Sequence, residues 1–229
     1  MKTIEPSKFN CEFCGKEFIR ETSLINHVCE TKRRWESKDK RGNQLGFQAW
    51  IQFYTKNTNK KKKDYMDFIK SSYYTAFIKF GNYCLDTQVI FVSRYVDWLV
   101  KEKVSIDKWN KDSVYSKFIV NYLFEEDPLD AIARGIETTI RLAQDAGIKT
   151  KDLLRYGNTN KICYEITKGK ISPWMLYHSE SGLQFLENLD STQQKMILEY
   201  IHPERWAIKF KRYSNKIPQV KSLLKEVGY

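Results

Sequence analysis

The chain has 229 residues, 41% of them apolar and 14% aromatic, enough for a small stapled unit plus one domain of ordinary size. Its net charge of +11 points to a polyanionic partner. The absence of an 18-residue apolar run, and of an apolar leader in residues 1–6, predicts neither a membrane span nor secretion.

The first element in chain order is a compact cysteine–histidine pattern in residues 1–30. Cys11 and Cys14 are spaced two apart, His27 and Cys29 follow, and Phe9, Phe18 and Leu24 supply apolar positions between them. Five cysteines with no leader fit a reducing, cytoplasmic compartment, where paired cysteines read as metal ligands rather than disulfides. Zinc takes four such donors in a tetrahedron. The spacing predicts two thiolates at the tip of a hairpin and His27 at the end of a helix starting near Glu21. About 30 residues cannot bury enough apolar surface to fold alone, so zinc would supply most of the folding energy. Residues Phe9, Cys11, Cys14, Gly15, Lys16, Phe18, Leu24 and His27 resemble the C2H2 zinc-finger family. The departure is the last ligand, because Thr31, Lys32 and Arg33 stand where that family places a second histidine. Cys29 is the nearest donor. Two residues after His27 on one helix it would point away, so the spacing predicts a C2HC site with a helix ending near His27. The resemblance places Arg20, Ser23 and Asn26 at base-reading positions, Arg20 toward a guanine edge and Asn26 toward an adenine edge. One finger spans about three base pairs, and a lone finger also suits a protein partner.

Next comes a basic connector, residues 31–63, with a short helix expected over 45–54. Its net charge is +9, whereas residues 1–30 carry −1, residues 64–201 carry −2 and residues 202–229 carry +5. Lys32, Arg33, Arg34, Lys38, Lys40, Arg41 and the run Lys60, Lys61, Lys62, Lys63 form a candidate strip for DNA phosphates. The alternative is a solvated linker. No lipidation signal accompanies the strip, so a membrane surface is not expected.

Residues 64–229 read as an all-α domain, so the fold class is mainly α: an N-terminal ββα finger, a basic connector and a helical body. Apolar residues recur at helical spacing from Tyr65 to Phe80, then over 87–103, then in a helix capped by Asp112 or Ser113. Asp127-Pro128 opens a further helix that Gly147 ends, Asn158 caps another, and Ser172-Pro173 opens the next. A helix follows Ser191 as far as Ile201, Pro203 starts a basic helix to Arg212, and Pro218 begins a terminal turn. Cys84 and Cys163 fall in apolar patterns and read as packing thiols. The segment from Arg155 to Asn160 reads either as a tight turn or as a contact loop.

Two sequence clusters suggest catalysis. His178-Ser179-Glu180-Ser181 sets a histidine among hydroxyls, but sequence neighbours rarely build a triad. Glu125, Glu126, Asp127 and Asp130 could hold a divalent metal for a nuclease, although acids at a helix start also favour the dipole. No phosphate-cradling glycine loop is present. The richness in Lys, Asn, Ile and Tyr suggests an AT-rich genome such as that of a phage. Residues 9–34 resemble fingers of T-even-type phage proteins. Residues 89–109, 115–126 and 160–176 resemble the replicative helicase loader of those phages, whose known family lacks the finger. That resemblance implies binding to forked or single-stranded DNA and to a protein of the replication or transcription machinery. The expected function is therefore a non-catalytic DNA-binding accessory protein. A metal-dependent nuclease and a virion or polymerase interaction protein with a structural zinc remain the alternatives.

Overall fold

The computed structural model describes residues 9–57 and 63–229, which are mainly helical and divide into two compact units, one ending at Asn110 and the other starting at Lys111. The division thus falls inside the span expected to be one helical body, and residues 31–57 belong to the first unit.

In the first unit a two-stranded antiparallel hairpin comes first, β1 (Phe9–Asn10) and β2 (Glu17–Phe18), with Phe9 opposite Phe18. Helices α1 (Glu21–Ile25) and α2 (Glu30–Glu36) follow. The connector then differs from expectation. Its helix, α3 (Arg41–Asn57), has 17 residues and passes through Gly42 and Gly46. These glycines are contact points, not breaks. A Cβ on Gly81 would collide with the backbone of Gly42 and Gly46, so three missing side chains let α3 lie directly against α5 (Tyr74–Asp86).

The stripe from Tyr65 to Phe80 is likewise two helices, α4 (Tyr65–Lys70) and α5. Asp64 and Asp67 close a capping box on α4, and its end at Ser71 is extended. The Ser71 hydroxyl accepts the Tyr73 amide at 3.1 Å, a local bond that competes with helix continuation. Helix α6 (Val92–Lys101) starts five residues later than expected, because Gln88 and Phe91 take left-handed backbone conformations, each at φ 52°. The unit closes on Trp109, whose ring meets Phe53, Phe77 and Phe80 and whose indole donates to the Val104 carbonyl at 2.9 Å.

The second unit begins with α7 (Asp112–Glu125), with Lys111 rather than Asp112 or Ser113 at the N-cap position. Asp127 caps α8 (Pro128–Ala146), which ends at Gly147 in the left-handed region. Then come α9 (Leu153–Tyr156), α10 (Thr159–Thr167) capped by Asn158, α11 (Pro173–His178) capped by Ser172, and α12 (Glu180–Glu187) capped by Ser179. Asp190, one residue earlier than Ser191, caps α13 (Ser191–Ile201), and α14 (Pro203–Arg212) follows. The expected terminal turn is a ten-residue helix, α15 (Ile217–Glu226), because proline in a first turn forfeits no helical hydrogen bond.

The core of this unit gathers around Trp174, fully buried against Trp206, Phe210 and His178. Arg134 clasps both oxygens of buried Glu126 at 2.7 Å and donates to the Gly169 carbonyl at 2.8 Å. Lys209 donates to the carbonyls of Phe124 and Glu126, each at 2.7 Å, closing the end of α7; burial lowers its ammonium to about 8. No helix among the described residues is long and apolar enough to cross a membrane.

Candidate metal centre

Three elements bring the donors together. The turn after β1 carries Cys11 and Cys14. The Gly15 amide bonds the Cys11 carbonyl at 2.7 Å and the Cys11 amide bonds the Lys16 carbonyl at 2.9 Å. Gly15 sits at φ +73°, a conformation that glycine adopts without penalty. Helix α1 stops at Ile25, and the chain delivers His27 just beyond it, its ring 4.8 Å from that of Phe18. Cys29 then stands at the N-cap of α2, where its sulfur accepts the Lys32 amide at 3.4 Å. Such a bond orients a ligand sulfur and balances its charge. Because the helix ends before His27, the i, i+2 spacing of His27 and Cys29 is not a helical one.

The ligand atoms of Cys11, Cys14, His27 and Cys29 all lie within 4.8 Å of one another, with Cys14 Sγ 3.2 Å from His27 Nε2. A tetrahedral ion with sulfur bonds of about 2.3 Å sets sulfur–sulfur edges of about 3.8 Å, so the donors stand within about 1 Å of a closed site. This group could hold a metal ion, and it is the group of that kind among the described residues. Its electrostatics favour a cation. The Cys14 amide, first among several hydrogen bonds, holds Cys11 below the ordinary thiol value. At Cys14 the Lys16 amide pulls downward, but burial and the neighbouring Cys11 and Cys29 thiols leave the net shift upward. Thiols this crowded repel as anions, and a shared cation relieves that repulsion.

The remaining cysteines are of another kind. Cys84 and Cys163 are buried, and burial pushes their thiols up to about 12 and about 11. All five cysteines are free of disulfides.

The basic candidates sort into outward and inward groups. Arg20, Ser23 and Asn26 are exposed, Arg20 at the N-cap of α1 and Asn26 at its C-cap. Lys32 is half-buried, and Lys40 and Arg41 are exposed. Arg33 reaches outward but pairs with Glu30 at 2.6 Å. The Arg34 hydrogen bond first, and then Arg33, hold the Glu30 carboxyl below its usual range. Arg34 turns inward. It donates to the Ile69 carbonyl at 2.6 Å and lies 4.4 Å over the Tyr74 ring. Lys38 rests 4.5 Å over Trp35, and Lys63 sits over Tyr54 and Trp50 at 5.0 and 5.6 Å. Lys60, Lys61 and Lys62 lie outside the described residues.

Sequence reasoning missed the link between the metal group and the helices. Phe13, between the two cysteines, packs on Trp35 of α2 at 6.2 Å, and Trp35 packs on Tyr65 of α4 at 5.9 Å. The one available signal was a tryptophan inside an otherwise basic segment. Of the acidic cluster, Glu126 is engaged by Arg134 and Asp127 caps α8. His178 stacks on Trp174 and bonds its carbonyl at 3.0 Å, while Ser179 caps α12. In the Arg155–Asn160 segment, Arg155 bonds Gln184 and Glu180, Asn158 caps α10 and Tyr156 is exposed. Compared with family models, curated proteins and solved structures, the chain matches none.

Proposed function

We propose that this chain is a non-catalytic, zinc-stapled nucleic-acid-binding protein, an accessory factor of replication or transcription whose metal centre is a C2HC zinc finger. The observation that carries the reading is the convergence of three sulfurs and one imidazole at the very point where a basic helix starts. Thiolate-rich, four-donor sets select zinc, and a closed set leaves no position for a substrate, which makes the ion structural. Because Cys29 is both a donor and the cap of α2, the ion would fix the orientation of α2. Arg34 and Trp35 then anchor that helix from its inner side, through Ile69, Tyr74 and Tyr65. What faces outward is Arg33, Lys40 and Arg41, to which the lysine run from Lys60 adds charge. Helix α1 has five residues, too short a reading surface for sequence specificity, so phosphates or a DNA structure are the better target.

The test is the salt dependence of binding by the zinc-loaded full chain to labelled duplex, forked and single-stranded DNA. Each neutralised phosphate adds about −0.9 to the log–log slope on duplex. Arg33→Ala, Lys40→Ala and Arg41→Ala should each flatten that slope by about one contact. A flat response in the wild type contradicts the proposal. A second reading, protein docking through the finger, is favoured by Ile19, Ile25 and Val28, which are 78%, 66% and 61% exposed beside the metal group. A stable complex formed with a replication or transcription protein in nuclease-treated extract, and lost on Ile25→Ser, would favour it.

A further inference from the structure

The first unit contains a groove of about 600 Å³ that neither the metal centre nor the basic strip uses. That volume lies within the range of small-ligand sites, about 300–1,000 Å³. Leu99 and Trp109 form its floor, both essentially inaccessible, and Phe53 and Tyr73 form its walls, with ring centroids 6.4 Å apart. Tyr73 remains 42% exposed, although its ring belongs to this aromatic cluster. The rim carries one cation, Lys103, and one anion, Asp107, which accepts from the Ser105 hydroxyl.

Lys103 is unusually placed. Its amide bonds the Val100 carbonyl at 3.1 Å and the next amide, of Val104, bonds the Leu99 carbonyl at 2.9 Å. This is the six-to-one, five-to-two pattern that closes α6, and Lys103 fills its left-handed position at φ 52°, where glycine is the favoured residue. The chain holds a lysine there against its backbone preference, at the lip of an aromatic groove.

We propose that this groove receives an unpaired base of single-stranded nucleic acid, stacked on the exposed Tyr73 ring, from which Phe53 is tilted by 60°, with Lys103 on the adjoining phosphate. The inference rests on the nucleic-acid reading above and sharpens it toward single strands. Aromatic faces accept any base without sequence preference, and a base enters such a groove only when it is out of the duplex. With Asp107 turned to the Ser105 hydroxyl, the exposed Lys103 beside the aromatic rings suits a phosphate-linked occupant better than an apolar side chain of a protein, which needs no cation.

The test compares binding of the zinc-loaded full chain to a short labelled oligothymidylate and to a duplex of equal length, at one salt concentration. Tyr73→Ala should weaken the single strand about tenfold or more, the size of one lost stack, and leave the duplex unchanged. Lys103→Gly should also weaken the single strand while the melting temperature holds or rises, because glycine relieves the left-handed residue. A weaker single-strand complex with an intact fold therefore separates binding from stability. Unchanged single-strand affinity in both variants overturns the proposal and leaves the groove to a protein side chain. Equal losses on duplex and single strand also overturn it, since they report general charge or folding. If the wild type binds neither nucleic acid, the broader reading falls and this one with it. If it binds both and the variants match it, only the groove proposal falls.

Discussion

Residues 9–29 and residues 111–229 differ sharply in how much they bury. In the first segment Cys11 alone is buried, and Phe9, Phe18 and Leu24 reach only half-burial. In the second, Trp174, Met175, Leu176 and Ile166 are fully enclosed, and even the charges are internal, as Glu126 with Arg134 and Lys209 on two carbonyls. Burial accounts for the second region at about 25 cal/mol per Å² of apolar surface. It cannot account for the first. The four converging donors could hold a metal ion there, and the zinc reading proposed above assigns the stability of this segment to that ion.

The largest expected effect breaks the comparison at the metal. On the zinc reading proposed above, chelation should remove roughly 10–16 kcal/mol of metal binding, and Cys11→Ser a part of it. Residues 9–29 should then lose amide protection in hydrogen exchange, while the thermal transition of residues 111–229 stays in place. Protection that survives chelation would show that packing alone suffices.

Arg134→Met addresses the opposite region. It strands a buried carboxylate that burial already pushes toward its neutral form. The expected loss is about 3–5 kcal/mol in urea unfolding. A double variant, Glu126→Leu with Arg134→Met, should recover much of that, because an apolar pair of similar volume costs little in a dry core. Glu126 is also the central acid of the nuclease alternative, and its bidentate clasp is a structural use of that carboxylate.

A smaller effect concerns a helix start. Asp190 accepts the amides of Thr192 and Gln193 at 2.8 Å, and Gln193 returns a bond to the Asp190 amide at 3.1 Å. Asp190→Ala should cost about 1 kcal/mol, read as a modest shift in the unfolding midpoint, with the metal centre untouched.

What could be read from the sequence follows from the range of the interactions. Asp127-Pro128, Asn158 and Ser172-Pro173 mark helix starts, because a cap is made within three residues. The break at Ser71 and the late start of α6 escaped, since Gln88 and Phe91 carry no sign of left-handed backbone. The expected helix over 45–54 was too short, and the role of Gly42 and Gly46 could not be read, because it depends on Gly81, some 40 residues on. The donor set was legible from spacing, together with Phe9, Phe18 and Leu24. The fate of Arg34 was not, because its partners Ile69 and Tyr74 lie far along the chain. A charge count registers a cation without showing whether it faces solvent or a carbonyl.

X-ray absorption at the zinc edge of the purified full-length protein tests the central claim most directly. The account predicts one zinc per chain, with three sulfurs at about 2.3 Å and one nitrogen at about 2.0 Å. Absence of stoichiometric zinc, or a shell with fewer than three sulfurs, would contradict it.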